Sequence, residues 1–385
     1  MNSQSKRIST ILLAHLKRYK KSHRLTAQQS KVLGSLSKCQ TGALGYAEVS
    51  CECGEVYETP LSCRDRHCPR CQTAESARWT AAQTEKLLPA PYYHVVFTVA
   101  QELHSIFQYN REALYNELFT CSSASLQSFA LADHRLGVKL GILAVLHTWG
   151  QMLWFHPHIH MIVAGGGLTP DGQWKQIDAS KSHFLCEAIA LSKDFKTRLI
   201  TAIKALHKRG ELNIPPELNL QATLDEAAQK KWSVFIQYAS SGPEKVASYF
   251  GRYVRKVAIG ESRLTEASAD AVSFTYKDYR TEQSGTLTLT PDEFLNRFAE
   301  HILPLGFRRI RCYGWRHHDF DKAKAACKKA ALATLAAWQA LALALQREDE
   351  RHQEYGKKCA SCGCPVEDMP KPILIGPDVA YYDTS

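Results

Sequence analysis

No uninterrupted apolar run in these 385 residues is long enough to cross a bilayer. The longest, Ala330–Leu345, is rich in alanine and contains Thr334 and Gln339. The early apolar stretch Ile8–Leu16 is broken by Ser9, Thr10 and His15 and precedes no small-residue cleavage site, so it does not read as a secretory signal. Glycine (21) and proline (15) are too sparse for a collagen-like or low-complexity chain. No period of about 20 to 50 residues recurs, which excludes a solenoid. With 45% hydrophobic and 22% charged residues the chain is not wholly disordered. The expectation is a soluble, cytoplasmic protein of about two to three domains, with no membrane partner.

Acidic residues are absent from Met1 to Ala47, where nine Lys or Arg residues stand. A second basic stretch carries Arg308, Arg309, Arg311, Arg316, Lys322, Lys324, Lys328 and Lys329 against only Asp319 and Asp321. Two one-signed segments suit a polyanion, although solvated helix faces would look the same. Chemistry has to come from motifs.

Thirteen cysteines without a secretory signal point to a reducing compartment, where clustered thiols bind metal more often than they pair. Five fall close together: Cys51, Cys53, Cys63, Cys68 and Cys71. Zinc takes four thiolate or imidazole ligands in a tetrahedron. The expected set is Cys63, Cys68 and Cys71 with either Cys51 or Cys53, and His67 in reserve. Cys359, Cys362 and Cys364 form a weaker group, a possible second zinc site that lacks an obvious fourth ligand.

The segment His156-Pro-His-Ile-His160 concentrates imidazoles. On a strand, His158 and His160 share one face about 7 Å apart along the backbone and can converge on one ion. The preceding strand should form a hairpin with this one. If its loop is 152–157, Gln151 lies opposite His158 as third ligand, with His147, farther away opposite Ile162, as second choice; a one-residue slip would turn either away. Two imidazoles and an amide oxygen, completed by phosphate oxygens, suit Mg²⁺ or Mn²⁺. The strand is expected to end at Gly165–Gly167.

Pro243 to Ala258 has helical periodicity, with Val246, Phe250, Val254 and Val257 as its apolar stripe. Tyr249 and Tyr253 share one flank of that stripe, and Lys245, Arg252, Arg255 and Lys256 fill the opposite side. The tyrosines could simply cover the core edge. A phenol with its usual pKa of about 10 is a poor nucleophile, but it becomes competent beside a metal-activated phosphate and basic groups. Tyr249 lies farther toward Lys245 and Arg252 and is expected to attack first, with Tyr253 second.

These blocks together resemble a known family. His156-Pro-His-Ile-His160 with Gly165-Gly-Gly-Leu168, Leu146-His-Thr-Trp-Gly-Gln151, Tyr249-Phe-Gly-Arg-Tyr-Val-Arg-Lys-Val-Ala-Ile259 and Cys63-Arg-Asp-Arg-His-Cys-Pro-Arg-Cys-Gln72 are similar to the rolling-circle transposases of the IS91 type. That family belongs to the HUH (His-hydrophobic-His), two-tyrosine nucleases. Tyr276–Arg280, Asp292–Phe294 and Gly306–Gly314 resemble its later blocks. The Cys51-x-Cys53 spacing departs from the more usual C-x-x-C, and the tail cysteines lie outside the catalytic pattern.

The resemblance implies an α+β chain. An HUH core with an RRM-like antiparallel sheet would follow a helical, zinc-binding N-terminal module and precede a long helix and Cys-containing tail. Expected boundaries are 1–85, 86–318 and 319–385. It implies His158 and His160 as the HUH pair, Tyr249 and Tyr253 as nucleophiles, Mg²⁺ or Mn²⁺ as catalytic ion and Zn²⁺ as structural ion. Partners would be single-stranded DNA at mobile-element ends and target DNA, with no nucleotide cofactor. DNA contacts are expected from Lys17, Arg18, Arg64, Arg66, Arg252, Arg255, Lys256, Arg308, Arg309 and Arg311. A plasmid or phage replication initiator would share this chemistry. A non-catalytic zinc-dependent regulator would leave the His and Tyr pairs unexplained.

Overall fold

The computed structural model describes residues 7–51, 53–132, 136–177, 187–239, 246, 256–278 and 281–331. Lys245, Tyr249, Arg252, Tyr253, Arg255 and the tail cysteines Cys359, Cys362 and Cys364 lie outside the described residues.

In chain order, helices α1 (Ile8–Ser22) and α2 (Ala27–Ser37) precede strands β1 (Tyr46–Ser50) and β2 (Val56–Pro60). Helix α3 (Pro69–Thr84), strand β3 (Tyr92–Thr98) and helices α4 (His104–Tyr109) and α5 (Arg111–Leu131) follow. Then come β4 (Lys139–Trp149), β5 (Phe155–Leu168), β6 (Trp174–Gln176), α6 (Ala188–Lys208), α7 (Leu220–Gln229) and β7 (Val234–Ala239). The last described elements are β8 (Leu264–Ala267), β9 (Val272–Lys277), β10 (Ser284–Leu289), α8 (Pro291–Glu300), β11 (Ile310–Gly314), α9 (Trp315–His318) and α10 (Phe320–Ala331). None of the described helices is long and apolar enough to cross a membrane.

The chain divides into two compact units, and the division is not the linear one expected. The first unit takes in residues up to Ala74 together with Ile259–Ile302. Its α1 buries Ile8, Ile11, Leu12, Leu16 and Tyr19 at helical spacing, and α2 opens with a reciprocal Thr26–Gln29 capping box. Long-range bonds tie 259–302 to these helices. The Arg18 guanidinium meets Asp292 at 3.0 Å, His15 Nε2 reaches the Ser268 carbonyl at 3.2 Å, and Gln29 donates to the Ala299 carbonyl at 2.9 Å. The segment 259–302, expected in the nuclease domain, therefore completes the N-terminal module.

The second unit, among the described residues 75–258 and 303–331, is built on an antiparallel sheet in the order β11-β4-β5-β3-β7, with β6 attached to β5. One face is apolar throughout: Tyr93, Val95, Phe97, Ile142, Ala144, Leu146, Ile159, Met161 and Val163 pack with α5, α6 and α7 residues such as Leu118, Phe195, Leu199 and Leu224. The other face carries Tyr92, Leu143, Val145, Ile162 and Ala164, with Val246, Trp315 and Cys327 in the same apolar cluster. Burial on both faces explains why β4 reads as a continuous apolar run rather than an alternating one.

The glycine run does not end β5, which continues to Leu168. A Cβ at Gly165 would strike Pro91 and Tyr93, one at Gly166 Trp174, and one at Gly167 the Lys139 carbonyl. The glycines let neighbouring backbone and rings close onto a strand that is crowded on every side.

Candidate functional site

Two groups of metal-ligating side chains stand out among the described residues, one in each unit. In the first unit the group is Cys39, Cys63, Cys68 and Cys71. Cys39 follows α2, and Cys71 lies in the first turns of α3. The hairpin β1–β2 brings Cys39 to Cys63, since its base is closed by Gln40 N–H donating to the Leu61 carbonyl (3.1 Å) and Leu61 N–H donating to that of Gly45 (2.9 Å). The Cys63 amide points at Cys39 Sγ at 3.5 Å.

Sulfur separations are 3.7 Å for Cys39–Cys71, 3.7 Å for Cys63–Cys71 and 3.5 Å for Cys39–Cys68. A Zn–S bond of about 2.3 Å gives a tetrahedral edge of about 3.8 Å, so four thiolates here fit zinc. Hydrogen bonds from Cys39 and its neighbours push the Cys71 thiol down, while the Cys63 and Cys68 thiols are pushed up, most strongly through Cys39. Four sulfurs this close cannot all ionise without a cation among them.

The fourth sulfur is thus Cys39, not Cys51 or Cys53. Those two sit in the turn at the tip of the hairpin, whereas the cluster is at its base. Five residues of extended chain separate the two by about 17 Å. His67 is not in the convergent group either; its Nδ1 meets Asp65 Oδ1 at 2.9 Å. Sequence reasoning missed Cys39 because 23 residues separate it from Cys63, and only the hairpin makes them neighbours.

In the second unit the group is His147, His158 and His160, with ring nitrogens all within 4.8 Å of one another. His158 and His160 do share a face of β5, opposite Thr98 and Val96 of β3. His147 is the direct cross-strand partner of His158. The expected third ligand, Gln151, is off the ladder in the turn between β4 and β5. The hairpin loop is shorter than expected, because Trp149 already pairs with Phe155. Between that pair and His147–His158, β5 has one residue more than β4, a bulge at His156–Pro157. Proline has no N–H for the ladder, and the extra residue restores the parity that places His147 on the histidine face.

Proton placement at His158 follows from geometry. Its Nδ1 lies 2.7 Å from the His156 carbonyl, which only accepts, so Nδ1 holds the proton and Nε2 is bare. That Nε2 is 3.1 Å from His160 Nε2. Two nitrogens bound to one ion at about 2.1 Å stand about 3.0–3.4 Å apart, so this spacing fits a shared metal. Burial lowers the His158 pKa to about 3 and holds that of His160 well below its ordinary value, aided by His147, His158 and the Lys256 charge. Neutral imidazoles are the form that binds metal.

The basic residues divide. Lys17, Arg64, Lys256 and Arg308 are exposed, while Arg66 is half-buried and burial lowers its pKa. Arg18 is paired with Asp292. Arg309 is buried and donates to the Lys256 carbonyl at 2.8 Å. Arg311 lies over the Phe119 and Phe307 rings (4.3 and 5.2 Å) on the face opposite the histidines and donates to Asn116. Arg309 and Arg311 are therefore framework contacts rather than the free cations the charge count suggested.

Buried neutral histidines make stability depend on pH. Burial takes both His94 and His104 down to about 4, against about 6.5 in an unfolded chain. As pH falls below about 6.5 the unfolded chain binds protons that the fold does not, so stability declines from there toward about pH 4. Urea midpoints measured from pH 7.5 to 5 should fall steadily over the lower half of that range. A midpoint constant down to pH 5 would contradict the buried neutral state.

One unit carries an antiparallel sheet with three convergent imidazoles and the other a four-cysteine cluster, two groups able to hold a metal ion. Comparisons with known proteins give the family. The family model described as "Transposase zinc-binding domain" matches residues 11–99, and one described as "Putative transposase" matches residues 141–324. The "Putative transposase y4qJ" of Sinorhizobium fredii is 37% identical over 312 residues, 78% of each chain. The "Transposase for insertion sequence element IS801" of Pseudomonas savastanoi pv. phaseolicola is 30% identical, covering 72% of this chain and 67% of its own. Among solved structures, the conjugative relaxase TrwC in complex with mutant oriT DNA overlaps 41% of this chain and 70% of its own, at 11% identity and a TM-score of 0.24. That overlap is too low to bear on the fold. The chain belongs to the rolling-circle transposases of the IS91 type. The zinc-binding domain and the Cys39–Cys71 cluster coincide, so the thiolate site is its structural zinc site.

Proposed function

We propose that this transposase cuts and rejoins single-stranded DNA at the ends of a mobile element, using Tyr249 and Tyr253 as nucleophiles at the histidine face of an HUH-type core. The phenolate oxygen attacks phosphorus, the P–O3′ bond breaks, and the departing oxygen takes a proton. The products are a 5′-phosphotyrosine and a free 3′-OH. The phosphotyrosine conserves the energy of the broken phosphodiester, so rejoining needs no nucleotide cofactor.

The observation that carries this reading is that the described residues flanking the tyrosine segment lie at the histidine face. Val246 is buried in the apolar cluster of that face. Lys256 is close enough for its charge to act on His160, and its carbonyl is anchored by Arg309. His147, His158 and His160 would hold a divalent ion, which when bound withdraws charge from the phosphate and orients it for in-line attack. Three imidazoles make a nitrogen set, so Mn²⁺ fits better than Mg²⁺, which prefers oxygen ligands. Exposed Lys17, Arg64, Lys256 and Arg308, with Arg66, Arg252 and Arg255, would meet the DNA backbone and supply affinity rather than sequence choice. The zinc unit would add contacts to DNA.

The test is cleavage of end-derived single-stranded oligonucleotides with Mn²⁺, Mg²⁺ or EDTA, followed by mass spectrometry of the adduct peptide. Mn²⁺ should support the fastest nicking and EDTA should abolish it. Tyr249→Phe should remove most of the first adduct, and Tyr253→Phe should leave it while blocking complete transfer. An adduct mainly on Tyr253 reverses the order. Binding without cleavage under all conditions would make the chain a DNA-binding regulator.

A further inference from the structure

His94, in the middle of β3, was not among the residues singled out by motif. Its cross-strand partner on β5 is Ile162, and the next inward residue, Val96, faces His160. His94 is thus the diagonal neighbour of His160 on the same face, a separation that long side chains bridge. The bridge is made: His94 Nε2 lies 2.8 Å from His160 Nδ1, with the ring planes within 6° of parallel. His94 is 3% exposed.

We infer that His94 is a positioning residue, which accepts a hydrogen bond from Nδ1–H of His160 and so leaves Nε2 of His160 bare toward the ion. The inference rests on the ion site proposed above. Each β5 histidine then has a partner behind it. His158 has the His156 carbonyl, which fixes its tautomer outright. His160 has an imidazole, which fixes it only while His94 presents a lone pair. Both Nε2 atoms consequently face each other across 3.1 Å. Buried hydrogen bonds to the far nitrogen of a ligating histidine fix ring orientation and raise its basicity. His94 does not belong among the ligands, because the convergent group comprises His147, His158 and His160 only. Its Nε2 addresses the back of His160 rather than the shared space.

The experiment compares full-length wild type with His94→Leu and His94→Gln. Leucine keeps the volume and removes the acceptor, whereas glutamine retains an acceptor oxygen. Histidine ¹⁵N shifts of the metal-free chains report the His160 tautomer, and electron paramagnetic resonance titration reports Mn²⁺ affinity. Melting temperatures identify any variant that fails to fold. The wild type should show His160 protonated at Nδ1. His94→Leu should lose that preference and bind Mn²⁺ about 10–100-fold more weakly, and His94→Gln should recover most of both. Wild-type affinity and an unchanged tautomer in His94→Leu would overturn the inference. So would His94→Gln behaving like His94→Leu in a folded chain, which would indicate a packing role. If the wild type shows the Nδ1–H tautomer, lost in His94→Leu, yet binds no Mn²⁺, the ion-site reading fails while the tautomer lock stands.

Discussion

Replacing Cys39 by serine should cost the chain its zinc and unfold the first unit, whereas Cys51→Ser and Cys53→Ser should each retain one zinc per chain. The asymmetry follows from the hairpin, whose base joins Cys39 to Cys63 and whose tip carries the other two. Structural zinc contributes an apparent binding free energy of about 10–16 kcal/mol. A typical domain is stable by only about 5–15 kcal/mol, so the metal decides whether this one persists. The two N-terminal helices bury Ile8, Ile11, Leu12, Leu16, Tyr19, Val32, Leu33 and Leu36, and part of the unit's core comes from Ile259–Ile302. The measurement therefore needs the full chain, since a fragment ending near residue 80 would lack the Asp292, Ser268 and Ala299 contacts. Elemental analysis after gel filtration reads the metal, and far-ultraviolet circular dichroism with limited proteolysis reads the unit. Full zinc content in Cys39→Ser, or its loss in Cys51→Ser, would refute the assignment.

What the sequence shows and what it hides divides along one physical line. Local patterns were legible. The β-branched and aromatic segment Tyr92–Val99 forms a strand over Tyr92–Thr98, α1 buries its apolar residues at helical spacing, and His158 and His160 share a face because strand alternation leaves no other choice. Features set by long-range pairing were not legible. Cys39 and Cys63 meet only once the intervening hairpin closes, and His94 reaches His160 only because β3 pairs with β5. The choice between Gln151 and His147 turned on the hairpin register, which sets His147 rather than Gln151 opposite His158. Alternation alone gives no warning of a bulge, although Pro157, unable to donate to the ladder, marks where one would fall. The assignment of Ile259–Ile302 to the N-terminal unit was equally hidden, since no composition shift accompanies it. Arg309 and Arg311 show a limit of charge counting: both are basic by sequence, and both are spent on internal contacts.

The same register supplies the second large effect. His158→Ala and His147→Ala should each reduce single-strand cleavage by more than about 100-fold, because loss of a first-sphere imidazole should exceed the 10–100-fold typical of an outer-sphere partner. Gln151→Ala should leave the rate near wild type, since the turn carries it away from the ladder on which the imidazoles converge. DNA binding should survive in all three variants. Affinity comes from Lys and Arg contacts to phosphate, and none of those is altered. A control separates metal loss from unfolding. His147 and His158 sit in the two most buried strands of the sheet, so melting temperatures must be compared before rates. Excess Mn²⁺ should partly rescue a folded His147→Ala chain, which keeps two imidazoles, and should not rescue one that has merely unfolded. Cleavage at the wild-type rate by His147→Ala, with a large loss in Gln151→Ala, would mean that the β4–β5 hairpin in solution pairs in the register with loop 152–157, which sets Gln151 opposite His158.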